Sequence, residues 1–256
     1  MPELPDLQVF SRNLHKYLGG KTLTKINISK NARLNVPVAT LKKSLEAQRL
    51  VKVYRDGKEL RFAFKNKRVL GIHLMLRGKL YWFEGDNPHP HTLAEFRFDN
   101  RGLALTDYQR KATISLDPPA TDVPDALSEK INSKFWKTQL QSRAGIKNLL
   151  LDQHVIRGIG NAYADEILWK AGISPFSVAN KLPPAKVKAL AGAVKTVLKN
   201  AEKQISKADP AIIGGEIRDF LLIHNARNKK SPTGAVIKKK AGARKTYYTD
   251  EQELFA

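Results

Sequence analysis

The apolar residues of this chain change their spacing across one proline-rich stretch, and that change limits the architecture more than any other feature. From about residue 21 to 116 they recur at every second position. Leu60, Phe62 and Phe64 do so in one run, and Phe96 and Phe98 face Leu103 and Leu105 across Asp99-Asn100-Arg101-Gly102, a hairpin-turn composition. A period of two is the mark of pleated strands, and several short strands separated by turn residues predict a sandwich or barrel. The stretch DPPATDVPD (117–125) has three prolines and no core pattern, so it reads as a linker. Beyond it the spacing is helical: Val187, Leu190, Val194, Val197, Leu198, Ala201 and Ile205 share one face. Ahead of the strands, Leu7, Phe10, Leu14, Tyr17 and Leu18 predict a helix over 5–18, stopped by Gly19-Gly20. The tail from about 223 is basic and Gly-punctuated, and Val236-Ile237 and Thr246-Tyr247-Tyr248 look like two arms of a hairpin.

The expected class is therefore α+β. Residues 1–116 form an N-terminal helix plus antiparallel β-sandwich, 117–133 a linker, 134–222 a helical domain and 223–256 a hairpin appendage. A length of 256 residues accommodates two modest domains.

Forty-five Lys and Arg against 24 Asp and Glu leave 45 − 24 = +21. An excess of this size points to a polyanion partner held by salt-sensitive phosphate contacts. No apolar run approaches the roughly 20 residues of a membrane span, and no secretion-signal layout opens the chain. With no cysteine, disulfides, thiolate chemistry and cysteine-ligated metals are excluded, and a reducing cytoplasm is the expected location.

The most informative segment is LLLDQHVIRGIGNAYADEILWKAGISP (149–175). Leu149 to His154 reads as the end of a helix and Arg157-Gly158-Ile159-Gly160 as a glycine turn. Asn161 reads as the N-cap of a second helix that carries Asp165 and Glu166 early and closes at Gly172. Backbone N–H groups at such a helix start suit a phosphate.

These residues resemble the helix–two-turn–helix of the formamidopyrimidine-DNA glycosylase and endonuclease VIII family. The opening MPELP, Gly57-Lys58, His73-Leu74-Met75-Leu76-Arg77-Gly78, Asp107 to Arg110 and Arg218-Asp219-Phe220 follow the family's order along the whole chain. The resemblance implies a bifunctional DNA glycosylase/AP lyase of base excision repair, acting on duplex DNA with oxidised bases or abasic sites. It also implies a bacterial, nucleoid-associated monomer.

Removal of Met1 would expose Pro2 as a secondary amine. An α-amino group titrates near about 7.7–8.0, so a nucleophilic neutral fraction exists at pH 7. Attack on a sugar C1′ gives an iminium, and the strand then breaks by elimination. On the resemblance, Glu3 is the proton shuttle, Lys58 a second functional cation, and Arg244 grips the flanking phosphates. Asn161, Lys147, Gly160, His91 and Arg110 would contact DNA. Leu76, Gln109 and Lys111 would fill the hole left by the flipped nucleotide. Asp6 and Gln8 stand where the family favours glutamate, and Gln109 and Lys111 where many members carry arginine and phenylalanine; these four departures support as the alternative an impaired or lyase-only protein that binds damage. A basic RNA-associated protein is a third class that the charge alone permits.

The family's four-cysteine zinc hairpin is replaced here near Lys230, Thr233, Thr249 and Glu251, so no zinc and no other cofactor is expected, as in the family's zincless fingers. His89-Pro90-His91 lacks a third ligand and is not expected to bind metal. Only 14 positions (234 − 220) separate Phe220 from Gly234, where relatives specific for 8-oxoguanine carry a longer loop. The short loop points to oxidised pyrimidines or formamidopyrimidines.

Overall fold

Leu4, Leu7, Phe10, Leu14 and Leu18 run down one face of the first helix, α1 (Leu4–Leu18), and all are fully buried. In the computed structural model, which describes residues 1–99, 101–242 and 244–256, α1 packs on strands β3 (Gln48–Asp56) and β4 (Glu59–Phe64). The other strands of this region are β1 (Thr22–Ile28), β2 (Arg33–Leu34), β5 (Val69–His73), β6 (Lys79–Phe83), β7 (Thr92–Phe98), β8 (Arg101–Thr106) and β9 (Thr113–Leu116). Their order is β2-β9-β5-β4-β3-β1-β7-β8-β6, antiparallel except for β2 beside β9. Two residue pairs, Thr22↔Arg49 and Leu23↔Gln48, join the two halves at β1–β3.

The period-two residues are the core. Leu60, Phe62, Phe64, Phe96, Phe98, Leu103 and Leu105 are all buried. Phe96 pairs with Leu103 as expected, while Leu105 faces Ala94. The turn between β7 and β8 contains Asn100, which lies outside the described residues. One element was not foreseen: α2 (Val38–Leu45) interrupts the strands. It buries only Leu41 and Leu45, too few apolar positions to stand out from a period of two.

The chain divides into two units, 1–121 with 205–216, and 122–204 with 217–256. Residues 205–216 thus cluster with the strands, although the sequence division placed them in the helical domain. The second unit holds α3 (Ser133–Gln139), α4 (Ile146–Leu151), α5 (Asn161–Ala171) and most of α6 (Pro184–Ala208), with the hairpin strands β10 (Lys238–Lys240) and β11 (Thr246–Tyr248).

Three local expectations are corrected. The 117–133 linker is free only in part. Asp125 bridges Arg157 in parallel register, Arg157 Nε donates to the Val123 carbonyl at 2.7 Å, and Ala126 and Ile131 are buried. The helix before the glycine turn ends at Leu151, and Gly160, not Asn161, is the N-cap of α5. The first hairpin arm lies at 238–240, two residues beyond the expected Val236-Ile237; Val236 is 60% exposed and bridges Lys230.

On α6, Leu190, Val194, Leu198, Ala201 and Ile205 are buried as the spacing predicts, whereas Val187 and Val197 are half-buried. No helix of the described residues is long and apolar enough to cross a membrane.

Candidate functional site

In the first unit, the chain start is built into the fold. Glu3 is the N-cap of α1 and forms a capping box with Asp6: its carboxylate accepts from the Asp6 N–H, and Asp6 Oδ2 accepts from Glu3 N–H at 2.8 Å. The reciprocal pair satisfies two otherwise orphaned donors and fixes both acids, which are 4% and 0% exposed. The shorter Asp6 therefore reaches its partner without a glutamate's extra methylene. Pro5, in the first turn, supplies a preset φ and needs no N–H acceptor.

Pro2 is buried at the wall of a cavity of about 510 Å³ shared with Leu76, Gln109 and Glu216. The Met1 ammonium pairs with the Glu216 carboxylate. Glu216 reaches the cavity because Gly214 passes so close to β6 that a Cβ would stand 2.5 Å from the Leu80 carbonyl, and Gly215 follows at φ +88°. A Cβ at Gly214 would push this segment away, and a side chain at Gly215 would strain its left-handed backbone.

The loops around the cavity are held from beneath. Asp107, 1% exposed, accepts from the N–H groups of Gln109 (2.9 Å), Lys111 (2.8 Å) and Ala112 (2.8 Å), so the side chains of Gln109, Arg110 and Lys111 project into solvent. Leu76 is 51% exposed in the β5–β6 loop, an apolar side chain without a core.

Lys58 sits in the tight β3–β4 turn after Gly57 (φ 59°). Arg55 braces that turn: its guanidinium donates to the Gly57 carbonyl at 3.0 Å and to Gln8 Oε1 on α1 at 3.1 Å. Gln8 is thus a neutral acceptor that ties α1 to the Lys58 turn, a contact invisible in the sequence. Burial, with the Lys58 charge adding to it, pushes the His73 imidazole below its ordinary range. Its Nδ1 accepts from the Met75 N–H at 3.1 Å, so the neutral ring carries its proton on Nε2.

His91 is exposed, and its carbonyl accepts from the Asp107 N–H. His89 stacks on Tyr81 with centroids 4.5 Å apart and contacts the Trp82 carbonyl, a packing role. Among the described residues no group of three His, Asp or Glu could hold a metal ion.

In the second unit, one amide shapes the glycine turn. Gln153 Nε2 donates to the carbonyls of Leu151 and Ile159, and its Oε1 accepts from the Gly158 N–H. Asn161 occupies the first turn of α5, where its Nδ2 donates to the Lys245 carbonyl at 2.8 Å. Lys147, expected at the DNA surface, is instead 7% exposed. Its ammonium pairs with Asp165 Oδ1 at 2.7 Å and donates to Thr246 Oγ1 at 2.8 Å. Burying that charge is tolerable only because Asp165, 0% exposed, answers it.

Asp165 and Glu166, buried on α5, turn their carboxylates to the segment that carries the hairpin. Asp165 Oδ2 also accepts from the Tyr247 N–H at 3.0 Å and lies 2.7 Å from His224 Nδ1. Glu166 accepts from the N–H groups of Leu222, Ile223 and His224. Desolvation raises its pKa, and those three N–H bonds oppose the rise. The two acids pin both ends of the hairpin segment to α5. Sequence reading missed this, because two adjacent acids on a helix look like a solvated face.

The hairpin pairs Lys238↔Tyr248, Lys239↔Tyr247 and Lys240↔Thr246. Arg244 is exposed in its loop; Ala243 lies outside the described residues. At the positions aligned with zinc ligands, the Glu251 carboxylate accepts from Thr233, from Ser231 (3.1 Å) and Thr249 (3.1 Å), with the Trp169 indole at 3.5 Å. The bond from Thr233, ahead of those from Thr249 and Ser231, holds Glu251 below the usual carboxylate range. Three hydroxyls around one carboxylate do not suit zinc, which takes thiolate, imidazole or several carboxylates. A hydrogen-bonded clamp stands where the metal would, so the hairpin is not held by packing alone.

Residues 1–114 match the family model described as the formamidopyrimidine-DNA glycosylase N-terminal domain, and residues 123–209 match its H2TH domain. A formamidopyrimidine-DNA glycosylase of Pelotomaculum thermopropionicum is 32% identical over 97% of both chains. A Lactococcus lactis Fpg, solved in complex with DNA containing an abasic site, superposes with a TM-score of 0.86 at 26% identity, covering 96% of this chain and 97% of that one. The same organism's wild-type Fpg, solved with DNA containing an oxidised pyrimidine, gives 0.86 at 27% identity, covering 97% of this chain and 98% of that one.

Proposed function

The chain belongs to the formamidopyrimidine-DNA glycosylase family, and from that premise we propose a residue-level mechanism for it. Like its relatives it is a DNA glycosylase and AP lyase for oxidised bases in base excision repair, and its partner is damaged DNA.

Once Met1 is removed, the neutral Pro2 amine attacks C1′ of the flipped nucleotide. The C1′–base bond breaks and the base leaves with a proton; the Pro2 N–H proton is then lost, and the nitrogen lone pair expels O4′, opening the C1′–O4′ bond to give the iminium. Glu3, held in its capping box, moves protons at the sugar ring oxygen and then at C2′ during β-elimination. Glu216, which faces the Met1 ammonium, then faces the new amine. Leu76 wedges into the gap and Gln109 hydrogen-bonds the orphan base, with Lys111 beside them in the space the flipped nucleotide leaves. Lys58, His91 and Arg110 hold phosphates from the first unit; Asn161, Gly160 and Arg244 do so from the second, where Lys147 orders the strand behind Arg244. The short 220–234 loop favours oxidised pyrimidines and formamidopyrimidines. The protein acts without zinc, as a cytoplasmic, nucleoid-bound monomer.

One observation carries this reading: a buried Pro2 opens on the cavity that also takes Leu76 and Gln109. Borohydride trapping on duplexes with dihydrouracil or an abasic site tests it. The expected result is a covalent adduct with the Met1-processed protein, absent from Pro2→Gly and from protein that retains Met1 by intact mass. Tight binding of damaged DNA with no adduct on either substrate would establish the non-catalytic alternative.

A further inference from the structure

A groove in the second unit takes no part in the chemistry above. It is a cavity of about 820 Å³ between α3 and the first half of α6. Along α6 it is lined by Pro184, Val187, Lys188, Ala191, Gly192 and Lys195, at steps of three, one, three, one and three. These positions form one unbroken helical stripe about 16 Å long, at about 1.5 Å per residue. The facing wall is α3, with Trp136, Lys137 and Leu140.

Two features show what the groove is shaped for. First, α6 carries a glycine in its interior, which weakens a helix relative to alanine. A Cβ at Gly192 would meet nothing within 4 Å, so no close neighbour demands the glycine. Its effect is to leave the floor of the groove open. Second, the floor is apolar while Lys137, Lys188 and Lys195 stand exposed around it, and neither α3 nor residues 184–195 contain an acid. The indole N–H of Trp136, in the same wall, has no acceptor among the described residues.

We propose that this groove docks an acidic peptide segment of a partner protein, about five residues long when extended, with apolar side chains seated over Gly192 and carboxylates on the three lysines. A DNA backbone would engage the lysines but leave the apolar floor empty. A compact small molecule would fill only part of a 16 Å stripe.

The test is fluorescence polarisation with the full chain and a labelled probe, Asp-Leu-Glu-Phe-Asp-Leu, against a control in which serine replaces each Leu and Phe. Gly192→Leu fills the groove and favours the helix, and Lys188→Glu with Lys195→Glu reverses its rim. The expected result is binding weakened at least tenfold in both variants and in the serine control, with adduct formation on abasic DNA within twofold of wild type. Equal binding of probe and control would reduce the effect to the chain's general positive charge and overturn the proposal. So would undiminished binding by Gly192→Leu, displacement of the probe by undamaged duplex, or saturable binding of decanoate without binding of the peptide.

Discussion

Two loops proposed to meet DNA are held by buried carboxylates, yet on different foundations. The 109–112 loop of the first unit hangs on Asp107, beside a nine-stranded sheet whose alternate residues form a continuous core. The hairpin that carries Arg244 in the second unit has three residue pairs and few buried side chains of its own, so it borrows order from α5 through Asp165 and Glu166 and from the Glu251 clamp. A two-stranded hairpin is marginal by itself in water. Where a core lies beneath a loop, one carboxylate suffices; where none does, several polar anchors are needed, and each becomes a point of failure.

Asp165→Ala should break the second foundation most severely. It leaves the buried Lys147 ammonium unpaired, at a cost of about 3–5 kcal/mol. Chemical denaturation should register that loss, and the Tyr247 amide should lose its exchange protection. Preserved protection in this variant would mean that strand pairing alone holds the hairpin.

Asp107→Ala is the matching cut in the first unit. It removes the acceptor of three N–H groups, and the expected loss is about 1–3 kcal/mol, as for a buried donor left unsatisfied and partly rehydrated. The effect should stay local: adduct yield falls on duplexes that require a filled gap and holds on single-stranded abasic substrate.

Glu251→Gln should act more mildly, because the site is exposed. Amide exchange at 246–248 should quicken by about tenfold without a change in global unfolding, the signature of a local opening. Chelators should leave the wild-type hairpin unaffected.

Acid should separate the regions further. Both His73 and Glu251 have pKa values lowered in the folded state, so each contributes stability that is present above its ordinary value and lost as pH falls through the lowered one. The His73 loop, read at the Met75 amide, should therefore loosen below the imidazole range, near about 6.5. The hairpin should hold until the pH passes below the carboxylate range. Simultaneous loosening of both would show that a shared global transition, not these groups, sets the response.

Much of this was legible in advance because it is local. The α1 stripe, the alternation at 60–64 and 96–105, the stop at Gly172 and the Thr246-Tyr247-Tyr248 arm are short-range patterns that neighbouring residues impose on one another. The order of MPELP, Gly57-Lys58, the 149–175 segment and the cysteine-free tail likewise carried the family and its class of chemistry. What escaped was non-local. Nothing in the chain's order says that Lys147 turns inward to meet Asp165 across 18 positions, or that Gln8 reaches Arg55 across 47. Nor does it say that Glu251 gathers hydroxyls from Ser231 and Thr233. A lysine, a glutamine or a glutamate reads the same in sequence whether it meets water or a buried partner. Desolvation separates the two cases, and only the folded chain decides which groups leave water together.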